Sequence, residues 1–211
     1  MSAAPATLVI GGGVNGLVCA TLLARAGRKV TVLEQRAAVG GAAVTRELTS
    51  GFRVPAAAHD VGPLRADVAR DLNLGAHGLE FIPREAWMTA LDGQGRAVTL
   101  WHDVAKSSAA LRAFSAADAD RWPAFMAARA KLGRVVASIL PHTPPSIDQP
   151  SPRELWRLLQ TARQFRALGP ADGYRLLRWG PMPVADLVQE HVETPMVAAA
   201  LAADGVFGAM L

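Results

Sequence analysis

Three glycines stand between two short apolar runs near the start of the chain. Gly11, Gly13 and Gly16 follow G-x-G-x-x-G spacing, after the run at residues 8–10 and before the run at residues 30–33. Such runs are typical of buried parallel strands. In this spacing the first glycine permits a tight turn, the second lets backbone approach a pyrophosphate, and the third lets the next helix pack closely. The stretch therefore predicts a strand–helix–strand unit that binds a dinucleotide.

The helix of this unit is predicted from about Asn15 to Ala26, with Gly27 as its C-terminal cap. Backbone N–H groups at the helix start, including that of Val14, would meet the pyrophosphate at the positive end of the helix dipole. Glu34 ends the second strand, where a ribose hydroxyl would arrive. The alternative is a strand–helix–strand unit whose glycines serve packing alone.

A second glycine pair, Gly40 and Gly41, falls six residues past the acid, within the stretch LEQRAAVGGAA. This arrangement resembles the amine-oxidase and phytoene-dehydrogenase-like flavoproteins, in which such a pair lies against the FAD pyrophosphate and ribityl chain. The resemblance implies FAD as the cofactor, in preference to a nicotinamide. It also implies a set of cofactor-binding residues, which are Gly11, Gly13, Val14, Asn15, Gly16, Glu34, Gln35, Arg36, Gly40, Gly41 and Ala42.

Three later segments resemble the same family, and in particular its subgroup named after pyridine nucleotide-disulphide oxidoreductase domain-containing protein 2. They read SGFRVPAAAHDVGPLRADVARDLNLGAHGLEFI, SAADADRWPAF and MPVADLVQEHVETPMVAAALAADGVFGAML. The resemblance implies an α/β chain that carries the N-terminal part of a glutathione-reductase-like FAD-binding Rossmann fold, followed by a mixed α+β substrate region. Residues 1–64 would form the N-terminal half of the FAD domain, and residues 65–211 a partial, mostly helical substrate region.

The activity that this resemblance implies is FAD-dependent dehydrogenation or desaturation of an apolar or amine-like small molecule. Members of the family are longer and complete the FAD domain with a late strand and a Gly-Asp helix start. No such return is found here, so we expect an N-terminal portion whose partners are a lipophilic substrate and either the C-terminal half or an oligomer partner. The alternative is a non-catalytic remnant or interaction module that keeps the nucleotide fold.

Other chemistry is sparse in the sequence. The single cysteine, Cys19, excludes an intramolecular disulfide and a dithiol redox pair, and we expect it to be a small packed residue. The histidines are scattered without metal-ligand spacing, so no metal site is expected. His59 and Asp60 lie where the chain of this family passes near the flavin, although an ordinary polar loop pair is the alternative, and no catalytic residue is assigned. With neither a leader-like start nor a run of about 18 apolar residues, the sequence predicts a cytoplasmic protein that could lie peripheral to a membrane.

The second half of the chain has clear signals for local structure. Residues 86–101 predict a β-hairpin around a glycine-containing turn. Ser115 is expected to cap a helix that Pro123 bends or restarts. Ser151 and Glu154 form a capping box, with Pro152 at the first helical position. This helix places its apolar residues on one face and is expected to end at Gly169-Pro170; that face comprises Leu155, Leu158, Leu159, Ala162 and Phe165.

Residues 151–180 contain six arginines and only two acids, a net charge of +4 that equals the net charge of the whole chain. One interpretation is a basic amphipathic surface, at residues 152–178, that makes peripheral contact with anionic lipid. The alternative is an ordinary core-facing helix with a solvated arginine face. Nucleic acid is not expected as a partner, because the aromatic residues do not interleave with the arginines as a stacking platform requires.

Overall fold

The computed structural model describes residues 6–58 and 64–206, so that His59 and Asp60 lie outside the described residues. The chain divides into two compact units, residues 1–82 and residues 83–211. This division falls later than the boundary expected after residue 64. The reason is that helix α2, Ala66–Asp71, is tied to the first unit, where the Arg25 guanidinium donates a hydrogen bond to the Asp71 carbonyl.

The N-terminal unit begins with the expected strand–helix–strand element. Strand β1, Thr7–Ile10, and strand β2, Val30–Leu33, pair in parallel, and helix α1, Val14–Arg25, connects them. Gly27 follows α1 in the left-handed conformation, with φ +79°. The predicted Rossmann-like element is therefore confirmed, with the helix starting at Val14 and not at Asn15.

Cys19 is not packed as the sequence suggested. Its side chain is exposed, whereas the side chain of the next residue, Ala20, is buried. Consecutive residues of a helix point about 100° apart, so the face that carries Ala20 and packs on the strands turns Cys19 to the side. The prediction of a packed thiol is wrong for this reason.

The rest of the N-terminal unit consists of short elements. Strands β3, Thr45–Thr49, and β4, Phe52–Pro55, form an antiparallel hairpin that the sequence pattern did not predict. Its turn contains Gly51 with φ +84°. Two short 3₁₀ turns, at Gly41–Ala43 and Leu74–His77, lie before β3 and after α2 respectively.

The C-terminal unit begins with the predicted β-hairpin. Strands β5, Ala86–Leu91, and β6, Ala97–Trp101, are antiparallel. The Asp92 carboxylate stabilises their turn, since its Oδ1 accepts hydrogen bonds from the backbone N–H groups of Gln94 and Arg96 at 2.9 and 2.8 Å.

Two helices follow the hairpin and pack against each other, and the first of them also packs against β6. They are α3, Val104–Arg112, and α4, Ala116–Ile139, and the Ser115 hydroxyl caps α4 as predicted. The core of the unit is built from residues of the hairpin, α3, α4 and later helices, and Leu100, Leu111, Trp122 and Val197 are among its largest fully buried apolar side chains.

Pro123 lies inside α4 without restarting the helix. A proline has no N–H group, so the carbonyl of the residue four positions earlier loses its helical partner. Here that carbonyl belongs to Ala119, and it accepts a hydrogen bond of 2.6 Å from the Ser108 hydroxyl of α3. Of the bend and the restart that were expected as alternatives at Pro123, the restart is wrong, because a neighbouring helix satisfies the carbonyl that the proline leaves unpaired.

Four further helices complete the described chain. They are α5, Pro152–Ala167, α6, Gly169–Trp179, α7, Val184–His191, and α8, Pro195–Val206. The predicted capping box of Ser151 and Glu154 is formed, and α5 ends before Gly169, whose φ is +80°. The buried Asp118 carboxylate accepts hydrogen bonds from the backbone N–H groups of Glu193 and Thr194, which fixes the start of α8 against α4.

Helix α5 differs from the core-facing alternative considered for it. None of its residues is buried. The apolar face that the sequence pattern identified is instead open to solvent over the described part of the chain, where Leu155, Leu158, Leu159 and Phe165 are all exposed.

Candidate dinucleotide-binding site

The turn between β1 and α1 shows why two of the motif glycines, Gly11 and Gly16, are needed. The Gly11 N–H donates to the Leu33 carbonyl at 2.7 Å, and Gly11 has φ +98°, a conformation that side chains disfavour. Gly16 lies against the same turn, because a Cβ built on it would meet the Gly11 carbonyl oxygen at 2.1 Å. The third glycine of the motif therefore allows α1 to approach the end of β1, as the spacing predicted.

The N-terminus of α1 is suited to an anion. The first N–H groups of a helix, here those of Val14, Asn15 and Gly16, have no intrahelical acceptor. The N-cap residue is Gly13, which has no side chain to accept from them, and the first turn contains no acid. These N–H groups and the positive end of the helix dipole form a potential phosphate site.

Glu34 connects the end of β2 to the glycine turn. Its Oε2 accepts a hydrogen bond from the Gly12 N–H at 2.7 Å, and its Oε1 accepts one from the Arg36 N–H at 2.9 Å. The N–H groups of Arg36 and Gly12 lower the pKa of the Glu34 carboxyl below its ordinary value, so the group is ionised at neutral pH. Each oxygen has a further lone pair with which to accept from a ribose hydroxyl.

The second glycine pair lies directly against the first motif. The Gly40 N–H donates to the Gly12 carbonyl at 2.7 Å, and Gly13 and Gly40 form an isolated parallel bridge. A Cβ on Gly41 would come within 3.0 Å of the Gly13 Cα. Gly40 and Gly41 have φ values of +123° and +59°, which favour glycine at both positions. The two glycine motifs, separate in sequence, thus form one backbone surface.

The remaining predicted site residues have different positions. Arg36 contributes its backbone N–H to Glu34, while its side chain is exposed, and Gln35 beside it is also exposed. Ala42 lies in the 3₁₀ turn after the glycine pair, where its carbonyl accepts from the Ala58 N–H at 3.0 Å. These three residues flank the surface that the two glycine motifs form.

Sequence reasoning missed Gly12, which occupies a variable position of the motif. It is buried, it donates to Glu34 and it accepts from Gly40. A Cβ on Gly12 would meet Val39 Cγ1 at 2.9 Å and Glu34 Oε2 at 3.1 Å. The uninterrupted run of glycines at 11–13 was the signal that could have identified it.

Residues 6–58 and 64–206 meet neither the requirement for a metal-ligand cluster nor the requirement for a membrane-spanning helix. No group of three or more His, Cys, Asp or Glu side chains there could hold a metal ion. Among the helices of the same residues, none is both long and apolar enough to cross a membrane.

Comparison with known proteins supports the same interpretation of the glycine unit. Residues 9–72 match the family described as NAD(P)-binding Rossmann-like domain. The matched segment begins within β1, contains α1, β2 and both glycine motifs, and ends just after α2.

Similarity to curated proteins extends beyond this segment. The chain is 32% identical over 216 residues to pyridine nucleotide-disulfide oxidoreductase domain-containing protein 2 of Rattus norvegicus, an alignment that covers 96% of this chain and 37% of the relative. The mouse protein of the same name is 30% identical over the same coverage. A limonene dehydrogenase component from Castellaniella defragrans is 43% identical over 118 residues, which is 54% of this chain and 21% of that protein.

The chain thus spans little more than a third of the length of the first two relatives, at 37%. The predicted resemblance to the subgroup named after pyridine nucleotide-disulphide oxidoreductase domain-containing protein 2 is confirmed by these matches. The chain contains a Rossmann-like NAD(P)-binding domain and is a homologue of oxidoreductases that include pyridine nucleotide-disulfide oxidoreductase domain-containing protein 2 and the limonene dehydrogenase component.

Proposed function

We propose that the chain is the cofactor-binding portion of an FAD-dependent oxidoreductase of the dehydrogenase or desaturase type. The observation that carries the proposal is the contact between the two glycine motifs, in which the Gly40 N–H donates to the Gly12 carbonyl at 2.7 Å. A single glycine turn at a helix start serves many dinucleotides. The second pair, Gly40 and Gly41, adds backbone without side chains beside this turn. In the flavoproteins that the chain resembles, such a pair lies against the flavin side of FAD.

Each part of this surface has a role in the proposal. The N–H groups at the start of α1 hold the pyrophosphate, because they lack acceptors within the helix. The ionised Glu34 accepts hydrogen bonds from the adenosine ribose. It also disfavours a 2′-phosphate through charge repulsion, which argues against NADP. Gly40 and Gly41 let the cofactor pass close to the backbone, since neither presents a Cβ.

A bound flavin supplies a hydride acceptor, so the protein need only bind, orient and shield the reactants. Within the described part of the glycine surface, Glu34 is the one carboxylate, and two backbone N–H groups already engage it. We therefore assign it to cofactor binding and assign no catalytic acid or base.

The substrate class in this proposal is an apolar small molecule, with an amine as the second possibility. Support for the apolar class comes from the limonene dehydrogenase component, since the name of that relative refers to oxidation of a hydrocarbon. The identity of 43% extends over 118 residues, which is 54% of this chain.

The proposal is tested by the flavin content of the purified chain. The wild-type chain, reconstituted with FAD and passed through gel filtration, is expected to retain a flavin absorption spectrum. Gly41→Ala is expected to lose it, because a Cβ there would stand 3.0 Å from the Gly13 Cα on a backbone with φ +59°. Gly75→Ala is the matched control, since a Cβ on Gly75 meets nothing within 4 Å.

The substrate class is tested by anaerobic bleaching of the bound flavin. Limonene is the apolar probe and benzylamine is the amine probe. The expected result is that limonene bleaches the bound flavin and benzylamine does not. Retained flavin that neither probe reduces would favour the alternative of a non-catalytic module. A folded wild-type chain that retains no flavin would contradict the proposal itself.

A further inference from the structure

Helix α5 carries its polar side toward the protein and its apolar side toward solvent. Gln164 accepts a hydrogen bond of 2.6 Å from the Ser138 hydroxyl of α4, so this side of α5 packs on α4. At 100° per residue, Leu155 points in the opposite direction from Gln164. Leu155 is 52% exposed and Trp156 is 54% exposed. We use the name α5 face for the exposed side chains of Leu155, Trp156, Leu158, Leu159 and Phe165.

More apolar surface adjoins the start of this helix. Ile147 is 96% exposed, in the connector that precedes α5. The connector is held to the helix because the Ser146 N–H donates to Glu154 Oε1 at 3.3 Å. Leu140, at the end of α4, is exposed as well. Ile147 thus lies on a segment that neighbours α5, and a group of exposed apolar side chains is a feature that marks interaction sites when it forms a large patch.

The charges around the α5 face are positive. Four arginines lie on α5, and at 100° per residue Arg163 and Arg166 fall on the side of Leu155, whereas Arg153 and Arg157 fall near Gln164. None of the four forms an ion pair in the described part of the chain, although the charge of Arg157 contributes to lowering the pKa of the Glu154 carboxyl. Arg163 lies over the Trp156 ring, 5.8 Å from its centroid, and therefore beside the apolar residues. A long arginine side chain can lie along apolar surface and keep its charge at the polar boundary.

The acids of the same region are engaged within the protein. Glu154 accepts from the Ser151 N–H and hydroxyl as part of the capping box. Asp172 pairs with Lys131 and Arg175, and Glu190 pairs with Arg178. Asp148, beside Ile147 in the connector, is the exposed exception. The exposed side of α5 therefore combines apolar side chains with two arginines, Arg163 and Arg166.

We propose that the α5 face docks on the surface of an anionic lipid bilayer. An amphipathic helix with leucine and tryptophan on one side, and arginine near that side, lies in the plane of a membrane interface. Arginine contributes electrostatic attraction to anionic headgroups, and the apolar side chains contribute burial in the headgroup boundary. The tryptophan suits the same boundary, because its ring is amphipathic. This docking does not depend on a bound cofactor.

Flotation of the intact chain with vesicles tests the proposal, since aggregated protein sinks while vesicle-bound protein floats. Vesicles of phosphatidylcholine with phosphatidylserine are compared with vesicles of phosphatidylcholine alone, at low and high salt. The wild-type chain is expected to float with the anionic vesicles at low salt and to be released as salt is raised. Failure to float with anionic vesicles, or equal flotation with both kinds, would overturn the proposal.

Variants then locate the docking surface. Arg163→Gln with Arg166→Gln is expected to weaken partition by roughly 25-fold, about fivefold for each arginine. The matched control is Arg28→Gln with Arg46→Gln, which removes the same charge from exposed positions in the N-terminal unit. The control is expected to float like the wild type. Equal loss in both pairs would mean that net charge alone drives binding, which contradicts docking through α5.

The apolar part of the proposal has its own variant. Leu158→Gln changes an exposed side chain, so folding is not expected to suffer, and circular dichroism checks that it does not. Partition is expected to fall on the order of tenfold, because the leucine no longer enters the interface. Unchanged partition of this variant would show that the α5 face is not inserted. Protection of the face by another protein segment would give the same result, and it too would overturn the proposal.

Discussion

Gly16→Ala tests whether close approach of α1 to the end of β1 holds the N-terminal unit together. The added Cβ would stand 2.1 Å from the Gly11 carbonyl oxygen, a backbone atom that cannot rotate away. Relief requires α1 to move by about 1 Å, since an ordinary carbon–oxygen contact is above 3 Å. Overpacking of this kind lowers the free energy of unfolding by about 1–3 kcal/mol and at times by more. Because the neighbouring atom is rigid backbone, we expect Gly16→Ala to lie near the upper end, at about 3 kcal/mol.

The expected loss is measurable by urea denaturation followed by circular dichroism. Gly75→Ala, in the same unit but with open space around its Cβ, is the control and should change the unfolding free energy little. FAD titration of both variants adds a second readout, because movement of the helix start displaces the N–H groups that would bind phosphate. Wild-type stability and wild-type FAD affinity in Gly16→Ala would refute the reasoning from close packing.

Three more predictions concern other parts of the chain. The pKa of the Glu34 carboxyl is lowered from its ordinary value of 4.5, so the ionised carboxylate stabilises the fold fully above pH 4.5. This contribution is lost as the pH falls through the lowered pKa. The stability difference between wild type and Glu34→Gln, from denaturation at several pH values, should therefore shrink in acid; a constant difference would show that the carboxylate charge does not matter. Ser108→Ala should cost about 1–3 kcal/mol of unfolding free energy, because it leaves the Ala119 carbonyl unpaired, and adding Pro123→Ala should recover much of this loss by supplying an N–H. Equal losses in the single and double variants would contradict that account. Gly133 lies in the exposed middle of α4, with nothing within 4 Å of an added Cβ. Gly133→Ala should therefore raise the free energy of unfolding by up to about 1 kcal/mol, and with it the thermal midpoint, because alanine favours the helix more than glycine does. A lower midpoint would show that Gly133 has a packing role.

The elements that could be predicted from the sequence are those whose signals are local. The glycine spacing predicted β1, α1 and β2, because a turn, a helix start and a close helix–strand contact each need glycine at a fixed position. The capping box at Ser151 and Glu154 predicted the start of α5, since both partners lie within one helical turn.

Features that depend on contacts distant in sequence could not be predicted in the same way. Pro123 is accommodated in α4 by Ser108, a residue of another helix. The exposure of the α5 face follows from which side of α5 packs on α4, and the hydrophobic pattern alone left open whether this side faces a core or a membrane. Gly12 was missed because its role comes from contacts with Glu34 and Gly40, which only the fold brings near.

The central claim is that the two glycine motifs and Glu34 form an FAD site. Calorimetric titration of the intact chain with FAD and with NADP tests it most directly, because it measures both affinities. FAD is expected to bind at least tenfold more tightly than NADP, because the ionised Glu34 repels a 2′-phosphate. Gly41→Ala, which crowds Gly13, should abolish FAD binding, and Gly75→Ala should retain it. Tighter binding of NADP than of FAD, or equal FAD binding by both variants, would contradict the account.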